Sequence, residues 1–188
     1  MWQLKIKFMI EKIKEYNREY VKSGEYRHHQ AEKYPRKKIA VVTCMDTRLL
    51  TLLPTAMGIK NGDVIMIKNA SGLVVDPYSD SMRSILISVY ELGVEKVMII
   101  AHTNCGVEGL EASHMYSAMK KRGIGEDVIE EVRKSGVDLE NWFTGFTHIE
   151  DAVSESVRTV ADHPLLPSGI EVAGFVMDTV TGELTEIK

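Results

Sequence analysis

Cysteine is scarce in this chain: Cys44 and Cys105 are the only two among 188 residues. A secreted scaffold held together by several disulfides is therefore excluded. A chain of this length buries a core without such staples, and it is read as one domain spanning residues 1–188. Excess charge of one sign is missing too. The 23 Lys and Arg against 27 Asp and Glu leave a mildly acidic balance, which argues against nucleic acid or an anionic membrane as the main partner. Long apolar runs are also absent. Residues 1–8 are interrupted by Lys5 and Lys7, and Lys12 and Lys14 follow, so there is neither a signal-peptide core nor a run near 20 apolar residues. These absences lead us to expect a cytoplasmic protein in a reducing compartment, where two thiols serve a metal or a reaction and not a disulfide.

What is present is alternation. Residues 4–22 carry Ile6, Met9, Ile10, Ile13, Tyr16 and Tyr20 on one helical stripe, and Ser23-Gly24 closes it. Such a helix either covers its own domain or lies as an arm (residues 1–24) on a second subunit, and periodicity leaves both open. Residues 25–36 are polar, contain Pro35 and read as a connector. Residues 38–43, 63–68, 96–101 and 170–177 are short runs rich in β-branched side chains. Runs of this kind suit strands buried on both faces of a parallel sheet. Helical patterns lie between them. One follows Asp76-Pro77, with Ser79 or Asp80 as cap, Met82, Ile85, Leu86 and Val89 as buried stripe and Gly93 as stop. Others run from about Val107 to Arg122, over 128–133 and over 149–161, and Thr181-Gly182 turns the chain into a last strand ending near Ile187. The expected fold is α/β: a mainly parallel four-stranded sheet flanked by helices, with a short fifth strand at the C-terminus and an N-terminal helical arm.

In such sheets ligands bind beyond the carboxyl ends of the strands. Two clusters stand at those places: Cys44-Met-Asp46-Thr-Arg48 after the first strand and His102-Thr-Asn-Cys105 after the third. Two thiols and an imidazole that converge make a zinc site with the fourth coordination position open. Taken singly, each part has an ordinary explanation. A His-x-x-Cys pair arises by chance, and a lone Cys after a strand packs as a small apolar side chain. Jointly they leave no cysteine over, and both clusters occupy equivalent places in the fold. Asp46 and Arg48 can pair through a bidentate guanidinium contact. That pair is either a structural ion pair near a helix start or part of a metal site. In a metal site Asp46 either accepts a hydrogen bond from metal-bound water or ligates the metal and closes it, and Arg48 holds it away and ionised. A fourth protein ligand would make the site structural. A cysteine hydrolase using Cys44 would leave Cys105 and His102 without a joint purpose. His28, His29, His114 and His148 fit surface or packing roles, and Gly123-Ile-Gly125 lacks the third glycine and the preceding strand of a dinucleotide fingerprint.

Cys44-x-Asp46-x-Arg48 followed by His102-x-x-Cys105-Gly106 resembles the β-class carbonic anhydrases. Gly62-Asp63 and Lys68-Asn69-Ala70-Ser71-Gly72 are similar to the family's segment between those motifs. Trp142-Phe-Thr-Gly145, His163-Pro-Leu-Leu-Pro167 and the closing hairpin resemble one bacterial branch. The resemblance implies a zinc lyase with one zinc per chain on Cys44, His102 and Cys105, and with Asp46 and Arg48 in catalytic roles. It implies reversible hydration of CO₂ to bicarbonate and a proton by a zinc-bound hydroxide. Two thiolates and a neutral imidazole acidify water less than three imidazoles do, so activity is expected to rise toward alkaline pH. It further implies a homodimer or higher even oligomer, with pockets at the subunit interface and the N-terminal helix reaching over the partner. Gly106, through its backbone amide, and Ser71 and Gly72 are the implied substrate-binding positions. The chain departs from the family at two places. Lys60 stands where the plant-type branch has a glutamine that assists CO₂ binding, and Ser71 stands where relatives often carry glycine. Both bear on pocket polarity. A relative with the same zinc site that hydrolyses CS₂ or COS would differ in pocket access, not in ligands.

Overall fold

The computed structural model describes residues 2–188, with side chains from Ile6 onward. Met1, at the head of the expected arm, lies outside them. Apolar, β-branched runs satisfy their backbone groups by pairing, and helices packed on the two faces of the sheet bury their side chains. β1 (Ile39–Cys44), β2 (Val64–Asn69), β3 (Lys96–His102) and β4 (Glu171–Met177) pair in parallel. β5 (Leu184–Ile187) adds an antiparallel edge, giving the order β2-β1-β3-β4-β5. The α/β architecture expected from the strand and helix pattern is therefore the one adopted. One strand differs from its reading. β2 is an edge and not a strand buried on both faces: β1 has β3 on its other side, and Met66 and Lys68 of β2 are exposed.

The helices are α1 (Trp2–Ser23), α2 (Leu52–Ala56), α3 (Asp80–Leu92), α4 (Ala112–Lys121), α5 (Glu126–Lys134), α6 (Leu139–Phe143) and α7 (Ile149–Ala161). Side chains alternate across a strand, and the alternation divides the core. Val42, Val97, Ile99 and Ala101 meet Met82 and Ile85 of α3 and Val153 and Val160 of α7. Val41 and Ile100 meet Leu49, Leu53 and both cysteines in the other cluster. Each such fully buried aliphatic side chain contributes roughly 1.5–3 kcal/mol by leaving water. Ser79, not Asp80, caps α3: its Oγ accepts the Met82 N–H at 3.3 Å.

The helix expected from about Val107 begins only at Ala112. Residues 107–111 pair elsewhere, with Gly109 N donating to Phe146 O and Gly145 N to Leu110 O, each at 2.8 Å. Those bonds use backbone groups that a helix would need. The 3₁₀ turns Glu25–His29 and Thr47–Leu50, and the five-residue α2 and α6, are too short to carry a periodic stripe, so the pattern did not reveal them.

The chain divides into two compact units, one ending at Lys33 and the other spanning Tyr34–Lys188. In the first, α1 is helical as expected, but its stripe is exposed from Ile6 at 39% to Tyr16 at 71%, with Tyr20 half-buried. No described helix is long and apolar enough to cross a membrane.

Candidate metal centre

Register sets the site. β1 and β3 pair with Thr43 opposite Ile100, so their carboxyl ends stop side by side. Cys44 closes β1 and His102 closes β3, and both are buried. Beyond His102 the chain turns at Asn104, whose φ of 54° lies in the left-handed region that asparagine tolerates better than most residues. The turn sets Cys105, also buried, beside His102. The loop after β2 lies flat on the end of β1. A Cβ at Gly72 would come within 2.6 Å of Cys44 N and 2.9 Å of Ile100 O, so the approach requires glycine. Asn69 holds this loop. Its Oδ1 accepts from Gly72 N at 2.8 Å, its Nδ2 donates to Leu73 O at 2.7 Å and Ser81 Oγ at 2.8 Å, and its carbonyl accepts from Met45 N at 2.8 Å.

One donor atom from each of Cys44, His102 and Cys105 lies within 4.8 Å of the others. The thiols are free, with their sulfurs 3.9 Å apart. Two zinc–sulfur bonds of about 2.3 Å at the tetrahedral angle separate sulfurs by about 3.8 Å. His102 Nδ1 sits 3.0 Å from Thr103 O. A carbonyl only accepts, so Nδ1 carries the proton and Nε2 presents its lone pair. That Nε2 is buried and has no hydrogen-bond partner among the described residues. A buried acceptor left unpaired costs roughly 1–3 kcal/mol, which a coordinated cation relieves. Burial pushes the Cys105 thiol up, the adjacent Cys44 adds to this, and the Val107 N–H hydrogen-bonded to the sulfur works against it. The donor set, its spacing and the orphaned imidazole nitrogen all fit zinc.

Asp46 and Arg48 form the bidentate pair. Arg48 N and Nε donate to Asp46 Oδ1 at 2.8 and 2.9 Å, and Nη2 donates to Oδ2 at 2.7 Å. The Arg48 guanidinium, and then its backbone N–H, hold the Asp46 carboxyl well below the usual carboxylate range against a smaller effect of burial. Asp46 Oδ2 stands 3.9 Å from His102 Nε2. Asp46 is not one of the three mutually close donors. Asp46 caps the Thr47–Leu50 turn and also stands beside the donor cluster.

Among the other candidates, Gly106 is exposed directly after Cys105. Ser71 is largely buried with φ 83°, and Gly72 packs on the Cys44 backbone. Lys60 is exposed, and its N–H donates to Asp63 Oδ2 at 2.9 Å. His114 and His148 are exposed. Sequence reading missed the contacts of four residues. Asn104 O accepts from Arg48 Nη2 at 2.8 Å. Thr103 and Thr179 bond each other and lie against His102 and Arg48. Gly145 presses on Val107, where a Cβ would come within 1.8 Å of the carbonyl oxygen. These contacts join distant segments, and no local spacing announces them.

Residues 39–184 match the carbonic anhydrase family. The YvdA protein of Bacillus subtilis (strain 168) is 44% identical over 172 residues, covering 92% of this chain and 87% of the relative. A carbon disulfide hydrolase of Acidithiobacillus thiooxidans is 29% identical over 157 residues, covering 79% of this chain and 76% of the relative. The crystal structure of β-carbonic anhydrase isoform I from the protozoan Trichomonas vaginalis aligns with a TM-score of 0.83 at 32% identity, covering 95% of this chain and 96% of that one.

Proposed function

Because this chain belongs to the β-class carbonic anhydrase family, we propose that it is a zinc lyase that reversibly hydrates carbon dioxide to bicarbonate and a proton. The observation that carries the reading is the meeting of two buried free thiols and an unpartnered imidazole nitrogen beside an ion-paired carboxylate. Cys44, His102 and Cys105 would hold one zinc per chain and leave a fourth position for the reaction. Zinc bound there would supply the Lewis acidity that makes water nucleophilic.

The chain's own residues do the rest. The Thr103 carbonyl holds His102 Nδ1–H, which keeps the Nε2 lone pair turned to the donor cluster. Arg48 keeps Asp46 ionised and occupied, so the carboxylate serves as an acceptor that orients the attacking water and does not become a fourth ligand. The exposed Gly106, next to Cys105, offers its backbone N–H to a bicarbonate oxygen. Ser71 and Gly72 belong to the same proposal as substrate-binding positions, Gly72 through the loop it fixes against Cys44. A homodimer or higher even oligomer is part of the reading, and the exposed apolar stripe of α1 supports it. A cytoplasmic place and no nucleic-acid partner complete it, supported by the scarce cysteines and the mildly acidic balance.

Stopped-flow CO₂ hydration on zinc-quantified protein, with Asp46→Asn beside the wild type, is the test. One zinc per chain is expected, with a loss of about 10–100-fold in the variant. One zinc per chain with no hydration at any pH overturns the reading. The same assay run with carbon disulfide then tells whether that substrate takes its place.

A further inference from the structure

We propose that Thr179, on the turn between β4 and β5, is a positioning residue that fixes His102 and Arg48 at once; this rests on the metal-centre reading above. Its hydroxyl lies 3.2 Å from Thr103 Oγ1, 3.3 Å from Thr103 O and 3.4 Å from Arg48 Nη1, and its N–H donates to Thr103 Oγ1 at 3.1 Å.

The direction of every one of these bonds follows from which groups can only donate and which can only accept. Thr179 N and Arg48 Nη1 can only donate, and Thr103 O can only accept. Thr103 Oγ1 therefore receives the Thr179 N–H and gives its own proton to Thr179 Oγ1. Thr179 Oγ1 accepts that proton and the Arg48 Nη1–H, and donates its own to Thr103 O. The Thr103 carbonyl then has two donors, Thr179 Oγ1–H and His102 Nδ1–H, one for each lone pair. Its direction is fixed from both sides, and with it the imidazole plane that aims Nε2.

The same hydroxyl gives the guanidinium a third anchor. Arg48 is held by Asp46 in its own loop, by Asn104 O beyond β3, and by Thr179 beyond β4. Thr179 is itself set in place by its neighbours. Asp178 Oδ1 accepts from Val180 N at 2.8 Å, Thr181 N at 2.7 Å and Thr181 Oγ1 at 3.0 Å, while Thr103 N donates to Met177 O at 3.0 Å. A valine would keep the shape of the side chain and lose only the hydroxyl. The bonds of that hydroxyl end on Thr103, whose carbonyl holds a candidate ligand, and on the keeper of Asp46, which is the signature of a group tuning a site from behind it.

The test compares wild type, Thr179→Val and Thr179→Ser as zinc-reconstituted protein, with thermal unfolding confirming that all three are folded. Zinc retention is read by chelator competition, and His102 Nδ1–H by its proton resonance. CO₂ hydration is resolved into kcat and KM. Thr179→Val is expected to bind zinc about tenfold more weakly, at the low end of outer-residue effects. Its Nδ1–H resonance should broaden by exchange, and kcat should fall with KM little changed. Thr179→Ser should match wild type in all three. A valine variant with wild-type zinc affinity and a sharp resonance overturns the inference, as does a serine variant that falls as far as valine. Wild-type protein that takes up no zinc would instead sink the metal-centre reading, and this inference with it.

Discussion

The strand ends of the Tyr34–Lys188 unit and helix α1 are both rich in apolar side chains, yet those side chains meet opposite fates. Around the strand ends Val41, Ile100 and Leu53 are fully buried and keep two thiols and an imidazole out of water. Along α1, Met9, Ile13 and Tyr16 are 60%, 63% and 71% exposed. A strand satisfies its backbone by pairing in a sheet, and the helices packed on the faces of that sheet hide its side chains. A helix satisfies its backbone internally, so its apolar stripe stays in water until a separate surface covers it. The candidate metal centre is thus assembled within the Tyr34–Lys188 unit, whereas α1 by itself leaves its stripe uncovered.

The sharpest way to break the buried side of this comparison is to remove a donor. His102→Ala or Cys105→Ser should cost more than about a hundredfold in zinc affinity and in CO₂ hydration, because residues merely behind a metal cost 10–100-fold. Metal analysis and stopped-flow rates on folded protein check this. Next comes Gly145→Ala, which forces a methyl group onto the Val107 carbonyl. It should destabilise the protein by about 1–3 kcal/mol in urea unfolding. It should also weaken zinc binding, since Val107 N–H bonds the Cys105 sulfur.

Arg48→Lys keeps the charge but not the fork that holds Asp46. A fall of about tenfold in hydration is expected, and a lysine variant equal to wild type would show that charge alone suffices. pH probes the thiols without mutation. Burial raises the Cys105 thiol above its ordinary 9.0, so in metal-free protein it is protonated throughout the neutral range. Zinc must displace that proton, so affinity should rise with pH, by up to about tenfold per pH unit for the Cys105 thiol. Chelator competition at several pH values measures the slope, and a flat profile would remove Cys105 from the ligand set.

The smallest effect belongs to the exposed side. Met9→Glu with Ile13→Glu should leave unfolding of the chain within about 0.5 kcal/mol, as exposed substitutions do. The same pair should shift the mass in light scattering toward monomer. Unchanged mass would mean that the stripe is no interface between copies.

Much of the fold was legible because its signals are local. Residues 96–101 announce β3 by β-branched composition, and 149–161 announce α7 by spacing. The three donors could be named from the chain because Cys44 and His102 close such runs and Cys105 follows within one turn. That β2 is an edge was not legible, since nothing inside it states whether a neighbour lies beyond. Nor was the late start of α4, which long-range bonds to Gly145 and Phe146 decide.

The sequence by itself determined which residues could ligate and which segments form strands and helices, because donor chemistry and hydrophobic period are properties of neighbours along the chain. Only the tertiary structure decided that the donors meet. The β1–β3 register sets Thr43 opposite Ile100, glycine at position 72 lets a loop close over Cys44, and Thr179 reaches Thr103 from 76 residues away. Those contacts depend on distances in space, and one-dimensional spacing carries no record of them.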